Sequence, residues 1–491
     1  MATEIELKLR LDPRQLRKLL AHPLLAATPP QRQRLLNTYY DTPELALRAR
    51  RVALRFRKKG WEWLLTVKSA EPASGGLAVR NEWESAATPG IFDFSHVDAP
   101  ALRTLLDELR DDLEPVFTTD FTRLRWQLAC GESQIEVAID RGSIVARGRR
   151  EKICEVELEL LAGRVEDLFE LARQLQHHLI LHPAIASKAE AGYRLFLDEP
   201  PRPFRARMPP IAATQTPVEA FRTIALACLE HFQRNEAGLL AGGEAEFIHQ
   251  ARVALRRLRS ALKLFAPVLP ADFIAAYGQS WRTLAGALGE ARDWDVFGEE
   301  TLPPIAAAFP HDRDVRRLRN EAGRRVRHAR RAIVTLLALK EYPRLMLEFT
   351  AAVYALRDTE KASLKHFAAD RIATITGSAR KMAERYDELD AEQRHRMRLR
   401  FKKLRYATEF LGPLLPQQRM KTYLTSLARL QEALGLINDQ VTASLLIDEA
   451  LGEKHGGAVH GWIAGRQNLL IEQLDPTLSD WLSQATKERG N

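Results

Sequence analysis

Hydrophobic and charged side chains alternate with a period of two through much of the first 200 residues. The first such stretch is 4–10, in which Ile5, Leu7 and Leu9 are separated by charged residues. Three later stretches repeat the pattern, namely 52–57, 123–128 and 155–160. Because successive side chains of a strand point to opposite faces, the pattern predicts strands with one apolar and one charged face.

A longer apolar period, typical of helices, replaces this alternation elsewhere. It occurs in the first half at 13–20, 99–110 and 164–179, and it dominates the chain from about residue 218 to 485. We therefore predict an α+β first half that is rich in antiparallel strands, followed by an all-α half.

Prolines separate the two halves. Six prolines lie within residues 200–217. This density of proline is too high for a helix interior or a central strand. A segment of this composition is typical of an extended, semi-rigid linker. The predicted domains are therefore 1–200 and 218–491, joined by a linker at 201–217.

The helical half contains an internal repeat. The segment 249–261 matches 395–407, so that His395 follows His249 by 146 residues. Three residues downstream recur at the same offset: Leu288, Gly289 and Asp293 correspond to Leu434, Gly435 and Asp439. Two matches in one register indicate duplication of a helical unit.

Charge is distributed unevenly between the halves. The chain has 73 basic and 64 acidic residues, a net charge of +9. Residues 1–200 hold 29 basic and 30 acidic residues, so residues 201–491 carry the remaining 44 and 34, a net charge of +10. This asymmetry indicates that the second half faces a polyanion.

Composition argues against a membrane-spanning or secreted protein. No stretch approaches the ~18 consecutive apolar residues of a membrane helix, and the N-terminus lacks the basic start and apolar core of a signal peptide. The three cysteines form no CxxC pair, which argues against a disulfide framework or a thiolate zinc site. We therefore expect a soluble, cytoplasmic protein.

The charged faces of the predicted strands are sorted by sign. Acidic pairs occur at Glu4 and Glu6 and at Glu155 and Glu157, and basic pairs occur at Arg55 and Arg57 and at Arg123 and Arg125. Paired carboxylates suit a hard divalent cation such as Mg²⁺, and paired arginines suit phosphate oxygens. A phosphate chain bound through a metal needs both. Phosphoryl transfer relies mainly on positioning and charge neutralisation, and the sequence contains no Walker-type glycine-rich loop.

The N-terminal motif Glu4-Ile-Glu6-Leu-Lys8 resembles the ExExK signature of the CYTH superfamily, the triphosphate tunnel metalloenzymes. Further motifs follow in the order of that family: Tyr40-Asp41-Thr42, Leu54-Arg55-Phe56-Arg57, Thr66-Val67-Lys68, Glu82-Trp83-Glu84, Asp140, Glu155-Val156-Glu157-Leu158-Glu159 and Ser187-Lys188. The resemblance covers residues 1 to about 200. It implies an antiparallel β tunnel or barrel that hydrolyses inorganic triphosphate to pyrophosphate and phosphate.

The resemblance also implies roles for individual residues. The ligands of Mg²⁺ (or Mn²⁺) would be Glu4, Glu6, Asp140, Glu155, Glu157 and Glu159. The triphosphate would be held by Lys8, Arg55, Arg57, Lys68, Arg123, Arg125 and Lys188. The catalytic set would be Glu4, Glu6, Lys8, Arg55, Arg57 and Lys68. Either Glu82 or Glu84 could join the wall. Neither Tyr39 nor Tyr40 has a lysine neighbour in sequence, so we expect the metal to activate the water.

Two helices of the second half carry basic residues on one face. The first has His249, Arg252, Arg256, Arg259 and Lys263, and the second has His395, Arg398, Lys402 and Arg405. Their spacings of three and four residues place each set on one side of its helix, and 249–263 and 394–405 contain no acidic residue. This half resembles a CHAD domain over about 215–485, which implies binding of inorganic polyphosphate.

Three other functions fit parts of the sequence. The tunnel could take an organic triphosphate, such as thiamine triphosphate or a nucleotide, with Trp61 and Trp63 stacking its ring, or it could cyclise ATP. The chain could also be a polyphosphate-binding scaffold without activity. Nucleic acid is disfavoured as a partner, since the sequence has no RNP, KH or zinc-finger motif and no aromatic residues interleaved with the basic face. The oligomeric state is not predicted.

Overall fold

The structure is a computed structural model that describes residues 2–70, 73–242, 244–358, 362–415, 417–452 and 455–487. The chain divides into two compact units. The first comprises Met1–Arg202 and Ala338–Ala355, and the second comprises Pro203–Leu337 and Leu356–Asn491. A short segment of the first unit therefore interrupts the second unit along the chain.

The first unit is built on a closed antiparallel barrel. Its strands are β1 Ala2–Leu11, β2 Gln31–Asp41, β3 Val52–Lys59, β4 Glu62–Ala70, β5 Leu77–Ala86, β6 Glu114–Cys130, β7 Ser133–Ala146, β8 Arg149–Ala162 and β9 Leu181–Pro183. Among the described residues they pair in the order β5-β4-β3-β2-β6-β7-β8-β1, and β1 closes the barrel by pairing with β5. The short β9 adds to β1. The predicted antiparallel β barrel is thus confirmed.

Helices surround this barrel. Those before the linker are α1 Leu16–Leu20, α2 Pro23–Ala26, α3 Ala46–Ala49, α4 Pro100–Leu109, α5 Val165–Gln176 and α6 Lys188–Leu197. Leu7 and Leu9 of β1 are buried on the outer face of the barrel in one core with Leu168 and Leu171 of α5. The alternation along β1 therefore buries its leucines outside and turns Glu6 and Lys8 into the barrel interior.

Helix α6 packs inside one end of the barrel. Tyr193 of α6 is buried with Phe117 of β6, with ring centroids 5.2 Å apart, and its hydroxyl donates to Asp41. Gly192 permits this approach, because a Cβ atom there would lie 2.1 Å from the Phe117 ring. The same helix begins at Lys188, whose buried ammonium group extends into the barrel interior.

The second unit is helical, as predicted. Helices from residue 217 onwards are α7 Pro217–Leu240, α8 Ala245–Leu264, α9 Ala271–Val296, α10 Leu302–Ala308, α11 Arg313–Ala338, α12 Glu341–Ala355, α13 Leu364–Ala383, α14 Ala391–Leu411, α15 Gln417–Leu451, α16 Gly457–Glu472 and α17 Leu474–Lys487. Pro217, the last residue of the predicted linker, is the first residue of α7, a favoured position for proline. No helix among the described residues is long and apolar enough to cross a membrane.

The sequence repeat corresponds to a repeat of helices. Helices α8 and α9 begin at Ala245 and Ala271, and α14 and α15 begin 146 residues later at Ala391 and Gln417. Helix α14 packs against α8, so the two basic segments of the repeat are brought together. The helix starts are what duplication of a helical pair predicts.

Helix α12 belongs to the first unit, although its position in the sequence, within 218–491, predicts that it belongs to the helical half. Leu347 of α12 is buried in the core between the barrel and α5. Thr350 lies so close to Gly75, in the turn before β5, that a Cβ atom on Gly75 would be 2.0 Å from the threonine hydroxyl. The periodicity of α12 predicts a helix, but it does not predict this packing partner.

Candidate active site and anion-binding cavity

The charged faces of the strands meet inside the barrel, and their registers place opposite charges side by side. Lys8 of β1 lies opposite Glu157 of β8. Arg123 of β6 lies opposite Asp140 of β7. Lys68 of β4 lies opposite Glu82 of β5, and Glu4 of β1 lies opposite Arg80 of β5. The interior is therefore a lattice of ion pairs between neighbouring strands.

Three carboxylates surround the Lys188 ammonium group deep in the barrel. Lys188 Nζ lies 2.6 Å from Asp140 Oδ2 and 2.8 Å from Glu157 Oε1, and it also contacts Glu155. Lys8 Nζ approaches Glu157 Oε1 at 3.2 Å. Arg123 donates two hydrogen bonds of 2.7 Å to the Asp140 carboxylate. We call Asp140, Glu155 and Glu157 the deep carboxylates.

These contacts lower the pKa values of Asp140 and Glu157. Burial alone would raise the pKa of Glu157, but Lys188, Lys8 and Arg123 lower it well below its ordinary value. Burial alone would likewise lower the pKa of Lys188, but Asp140, Glu155 and Glu157 raise it well above its ordinary value. Each ion is stable in the interior because its partners are charged and close.

A second acidic group lies nearer the start of β1. Lys68 Nζ donates to Glu4 at 2.7 Å and lies 3.0 Å from Glu82. Arg80 donates to Glu6 at 2.6 Å. Glu159, opposite Glu6, is different, since burial and then repulsion from Glu4 and Glu136 raise its pKa to about 7.

Two arginines of β3 form the basic wall of the interior. Arg55 donates to the Tyr39 hydroxyl at 3.2 Å, and Arg57 donates to the side-chain oxygen of Asn37 at 2.9 Å. The Nε and Nη2 atoms of Arg55 are buried and have no hydrogen-bond acceptor among the described residues. Burial, and then repulsion from Arg55, lower the pKa of Arg57 to about 10. Two donors of Arg55 thus lack a hydrogen-bond acceptor, a condition that a bound anion would relieve.

The deep carboxylates fit a hard divalent cation. Each offers an oxygen, and these three oxygens lie within 4.8 Å of one another. Oxygen ligands of this type are those that Mg²⁺ and Mn²⁺ prefer. Their present partners are the Lys188 ammonium group, which contacts all three, and Lys8 and Arg123.

The helical unit contains a basic cavity of about 430 Å³ between its two repeats. Its lining includes His249, Arg252, Arg256, Arg292, Asp293, His395, Arg398, Lys402, Arg405 and Asp439. The Nε atoms of Arg256 and Arg398 are buried without an acceptor among the described residues. Burial, and then repulsion from Arg398, Arg256 and Arg252, lower the pKa of Lys402 to about 7. Cations in this cavity are thus crowded and incompletely paired.

Comparison with known proteins assigns both units. Residues 2–193 match the family model of the CYTH domain, and residues 223–448 match that of the CHAD domain. The chain carries a CYTH domain followed by a CHAD domain.

Two relatives illustrate the match. An inorganic triphosphatase of Haemophilus influenzae is 34% identical over 207 residues, which are 40% of this chain and 55% of that protein. The chain therefore spans about half the length of this curated relative. The crystal structure of the CHAD domain from the plant Ricinus communis is 34% identical, with a TM-score of 0.50, and the match covers 57% of this chain and 96% of that one.

The structure brings together most of the residues singled out from the sequence. Those of the CYTH domain face one interior, and both Glu82 and Glu84 join it through ion pairs with Arg55 and Arg57. Arg125 is the most exposed of the basic residues there and contacts Gln31 and Glu136. In the CHAD domain, Arg259 and Lys263 do not line the cavity.

Some residues of the two sites were not singled out from the sequence. In the CYTH domain they are Arg80, Asn37, Tyr39 and Glu136. Arg80 shares the strand face of Glu82 and Glu84, so the alternation could have revealed it. In the CHAD domain they are Arg292, Asp293 and Asp439. The two aspartates are part of the sequence repeat, but the sequence assigned them no role. Burial raises the pKa of both aspartates.

The stacking role considered for two tryptophans is not supported by their surroundings. The Trp63 ring lies 5.7 Å from the Lys58 ammonium group and contacts the core that includes Phe56. Trp61, at the tip of the β3–β4 hairpin, is 97% exposed. Neither ring faces the basic wall of Arg55 and Arg57.

Replacing Lys188 with Met should destabilise the CYTH domain strongly at neutral pH. The change removes the ammonium group shared by the deep carboxylates, of which Asp140 and Glu157 are buried, and loss of one partner of a buried ion pair costs about 3–5 kcal/mol. Depressed carboxylate pKa values stabilise the fold above the unfolded-state pKa. The deficit should therefore be complete at pH 7 and should shrink as the pH falls towards 4.

Urea unfolding of Lys188→Met and of the control Lys152→Met, an exposed lysine of β8, measures this difference. If the deep carboxylates bind a divalent cation, Mg²⁺ should raise the midpoint of Lys188→Met more than that of the unaltered chain. Equal midpoints for the two variants would contradict the role assigned to Lys188.

Proposed function

We propose that the CYTH domain hydrolyses inorganic triphosphate to pyrophosphate and phosphate, with Mg²⁺ or Mn²⁺ as cofactor. The observation that supports this most directly is that one interior contains both anion-binding arginines and a cluster of carboxylates. Arg55 offers buried donors without acceptors, and the deep carboxylates offer a set of oxygens suited to a cation. A triphosphate held through a divalent cation would use both.

The residues of the tunnel would act by positioning and by neutralising charge. Arg55, Arg57 and Arg123 would bind phosphate oxygens, and Lys8 and Lys68 would add point charges beside them. A bound divalent cation would neutralise charge on the phosphate oxygens and polarise water. The deep carboxylates and Glu6 would hold that cation. Since phosphoryl transfer needs little covalent help, no nucleophilic side chain is required.

The first experiment is a measurement of phosphate release from inorganic triphosphate, ATP and thiamine triphosphate, with Mg²⁺, with Mn²⁺ and with a chelator. Metal-dependent release that is fastest from inorganic triphosphate supports the proposal. Faster release from an organic triphosphate would change the substrate, and cyclic product from ATP would change the reaction. No release from any of them would favour a binding scaffold.

Replacing Glu6 with Gln should lower kcat for triphosphate by at least about a hundredfold, since it removes one negative charge from the tunnel where charge positions the cation. The fold should persist, because the amide can still accept from Arg80. Circular dichroism and kcat are the measurements. The matched control is Glu44→Gln, an exposed glutamate outside the tunnel, for which the rate should not change. A rate for Glu6→Gln equal to that of the control would contradict the metal-ligand role.

We also propose that the CHAD domain binds inorganic polyphosphate in the cavity between its repeats. The support is the set of cations from both repeats around one cavity, including the buried Nε atoms of Arg256 and Arg398 that lack acceptors among the described residues. A polyanion gains affinity from such a set through counterion release. Polyphosphate has no bases that need to stack, and few aromatic rings line this cavity.

Replacing Arg252 and Arg398 together with Glu should weaken polyphosphate binding by at least about tenfold, because two charges are reversed and the net charge of the cavity falls by four units. Triphosphate hydrolysis should be unaffected. Titration calorimetry with polyphosphate provides the measurement. The control is the double change Arg316→Glu and Arg319→Glu, which makes the same charge change at exposed positions of α11. Equal losses in the two proteins would show a general effect of net charge.

Polyphosphate affinity should fall as the pH rises from 6 to 8. Lys402 has a pKa of about 7, so its charge is present below that pH and lost above it. The groups that act on Lys402 are Arg398, Arg256, Arg252 and Asp439. The pKa values of Asp293 and Asp439 are raised, so these carboxyl groups also gain negative charge as the pH rises. Their ionisation weakens polyanion binding in the same way as the loss of the Lys402 charge. Lys402→Arg should flatten the dependence, and an unchanged profile in that variant would contradict the assignment.

A further inference from the structure

An exposed tryptophan lies at the tip of the β3–β4 hairpin. Lys59 of β3 pairs with Glu62 of β4, so Gly60 and Trp61 form a turn of two residues. Trp61 is 97% exposed. An indole ring combines a large apolar surface with one polar N–H group, and such rings are favoured where an apolar phase meets water. Packing within the fold does not account for this side chain.

Two further apolar side chains are exposed on the same side of the barrel. Leu36 of β2 is 36% exposed and pairs with Lys58 of β3, whose side chain alternates with those of the basic wall and so points outward. Ile91 is 61% exposed and precedes Phe92, whose ring lies 5.2 Å from that of Phe56 on the outer face of β3. We call the three exposed residues the hairpin patch: Leu36, Trp61 and Ile91.

Cations surround the hairpin patch. Arg32 and Arg34 share the outer face of β2 with the leucine of the patch, since positions two apart lie on one face of a strand. Lys58 and Lys59 end β3 beside the turn. These four cations line a concave notch of about 650 Å³, in which Glu62 is the one acid among the described lining residues. The surface at this hairpin is therefore basic.

The protein compensates little of this charge. Arg34 is paired with both carboxylate oxygens of Asp120. No described carboxylate forms an ion pair with Arg32, Lys58 or Lys59. The hairpin patch is thus bordered by three cations without an acidic partner among the described residues, and such cations at a surface attract an anionic partner.

The combination of apolar and basic side chains discriminates between anionic partners. A phosphate chain would contact the cations but would leave Trp61 and Ile91 in water. A nucleic acid could stack a base on Trp61 but offers no apolar surface to Leu36. The surface of an anionic bilayer suits both kinds of side chain, because tryptophan rings favour the headgroup region and lysine and arginine are attracted to anionic lipids. A projecting ring also needs no matching pocket in a fluid bilayer, whereas it needs one in a protein partner.

We infer that the hairpin patch docks the CYTH domain on an anionic lipid bilayer. The Trp61 ring enters the headgroup region, and the cations Arg32, Lys58 and Lys59 contact lipid phosphates. Binding of this kind is peripheral, since it combines a small buried apolar area with electrostatic attraction. The inference concerns the outer surface of the barrel, so it does not depend on what the tunnel hydrolyses.

The test is cosedimentation of the full chain with vesicles made of equal amounts of phosphatidylcholine and phosphatidylglycerol. The salt concentration is about 0.15 M, at which attraction between exposed charges is largely screened beyond about 8 Å. Binding should be at least about tenfold tighter than to vesicles of phosphatidylcholine alone, because each cation contributes a factor of about five near an anionic surface. Excess glycerol phosphate should not displace the chain, since a soluble headgroup offers no apolar phase to Trp61.

Trp61→Ala should raise the lipid concentration at half-maximal binding about tenfold, because the ring no longer enters the bilayer surface. The matched control is Leu161→Ala. Leu161 is 46% exposed on β8, which lies on the opposite side of the barrel from β3. Its removal should leave vesicle binding unchanged.

Removal of cations should weaken binding to the charged vesicles. The test variant neutralises three cations of the notch: Arg32→Gln, Lys58→Gln and Lys59→Gln. Its control neutralises three exposed cations of the same unit away from the hairpin: Arg14→Gln, Arg17→Gln and Lys18→Gln. The test variant should lose at least about tenfold in affinity, and the control should lose much less.

Several results would overturn the inference. They are absence of vesicle binding by the unaltered chain, equal binding of Trp61→Ala and Leu161→Ala, equal binding of the two triple variants, and displacement by glycerol phosphate. Sedimentation velocity without lipid tests another occupant of the hairpin patch. A dimer of the unaltered chain that is lost in Trp61→Ala would assign the patch to a second copy of the chain and would also overturn the inference.

Discussion

The CYTH domain depends on keeping many ionised side chains stable inside a closed barrel. Removing one charged group from water costs several kcal/mol, so each must find an opposite charge within a few ångströms. The strand registers supply these partners, because they place Lys8 beside Glu157 and Arg123 beside Asp140 on neighbouring strands. Lys188 completes the lattice from α6 rather than from a strand. Its ammonium group contacts Asp140, Glu155 and Glu157, and so supplies one shared partner to three carboxylates.

The same lattice explains how such an interior could exchange its internal partners for ligands. A divalent cation can replace ammonium groups as the partner of the deep carboxylates, and phosphate oxygens can replace carboxylates as acceptors for arginine. Charge is conserved within the site by a double exchange, so neither ligand has to be buried without a partner. Two donors of Arg55 lack a hydrogen-bond acceptor, so the basic wall could accept an anion even before its internal ion pairs are broken. Binding of metal and triphosphate is therefore expected to be mutually reinforcing.

Much of this arrangement follows from the sequence, for a physical reason that also sets its limit. Alternation with period two determines which face of its own strand a side chain occupies, so Glu4 could be grouped with Glu6, and Arg55 with Arg57, before any neighbouring strand was known. Register and packing partners depend on residues distant in sequence, and these escaped prediction. Arg80 was missed as the partner of Glu6. Helix α12 was predicted with the helical half, because an amphipathic pattern reports that a face is buried and not what buries it.

Buried cations are less completely paired in the CHAD cavity than in the tunnel. In the tunnel, carboxylates outweigh desolvation and raise the pKa of Lys188, whereas in the cavity burial and neighbouring arginines lower the pKa of Lys402 to about 7. Duplication explains the contrast, since packing α8 against α14 brings two copies of one basic segment together, whereas each repeat adds only one aspartate, Asp293 or Asp439, to the cavity. A tunnel with matched charges would need a metal as well as an anion to exchange partners. In the CHAD cavity, where cations outnumber carboxylates, the proposed anion would bind without a divalent cation.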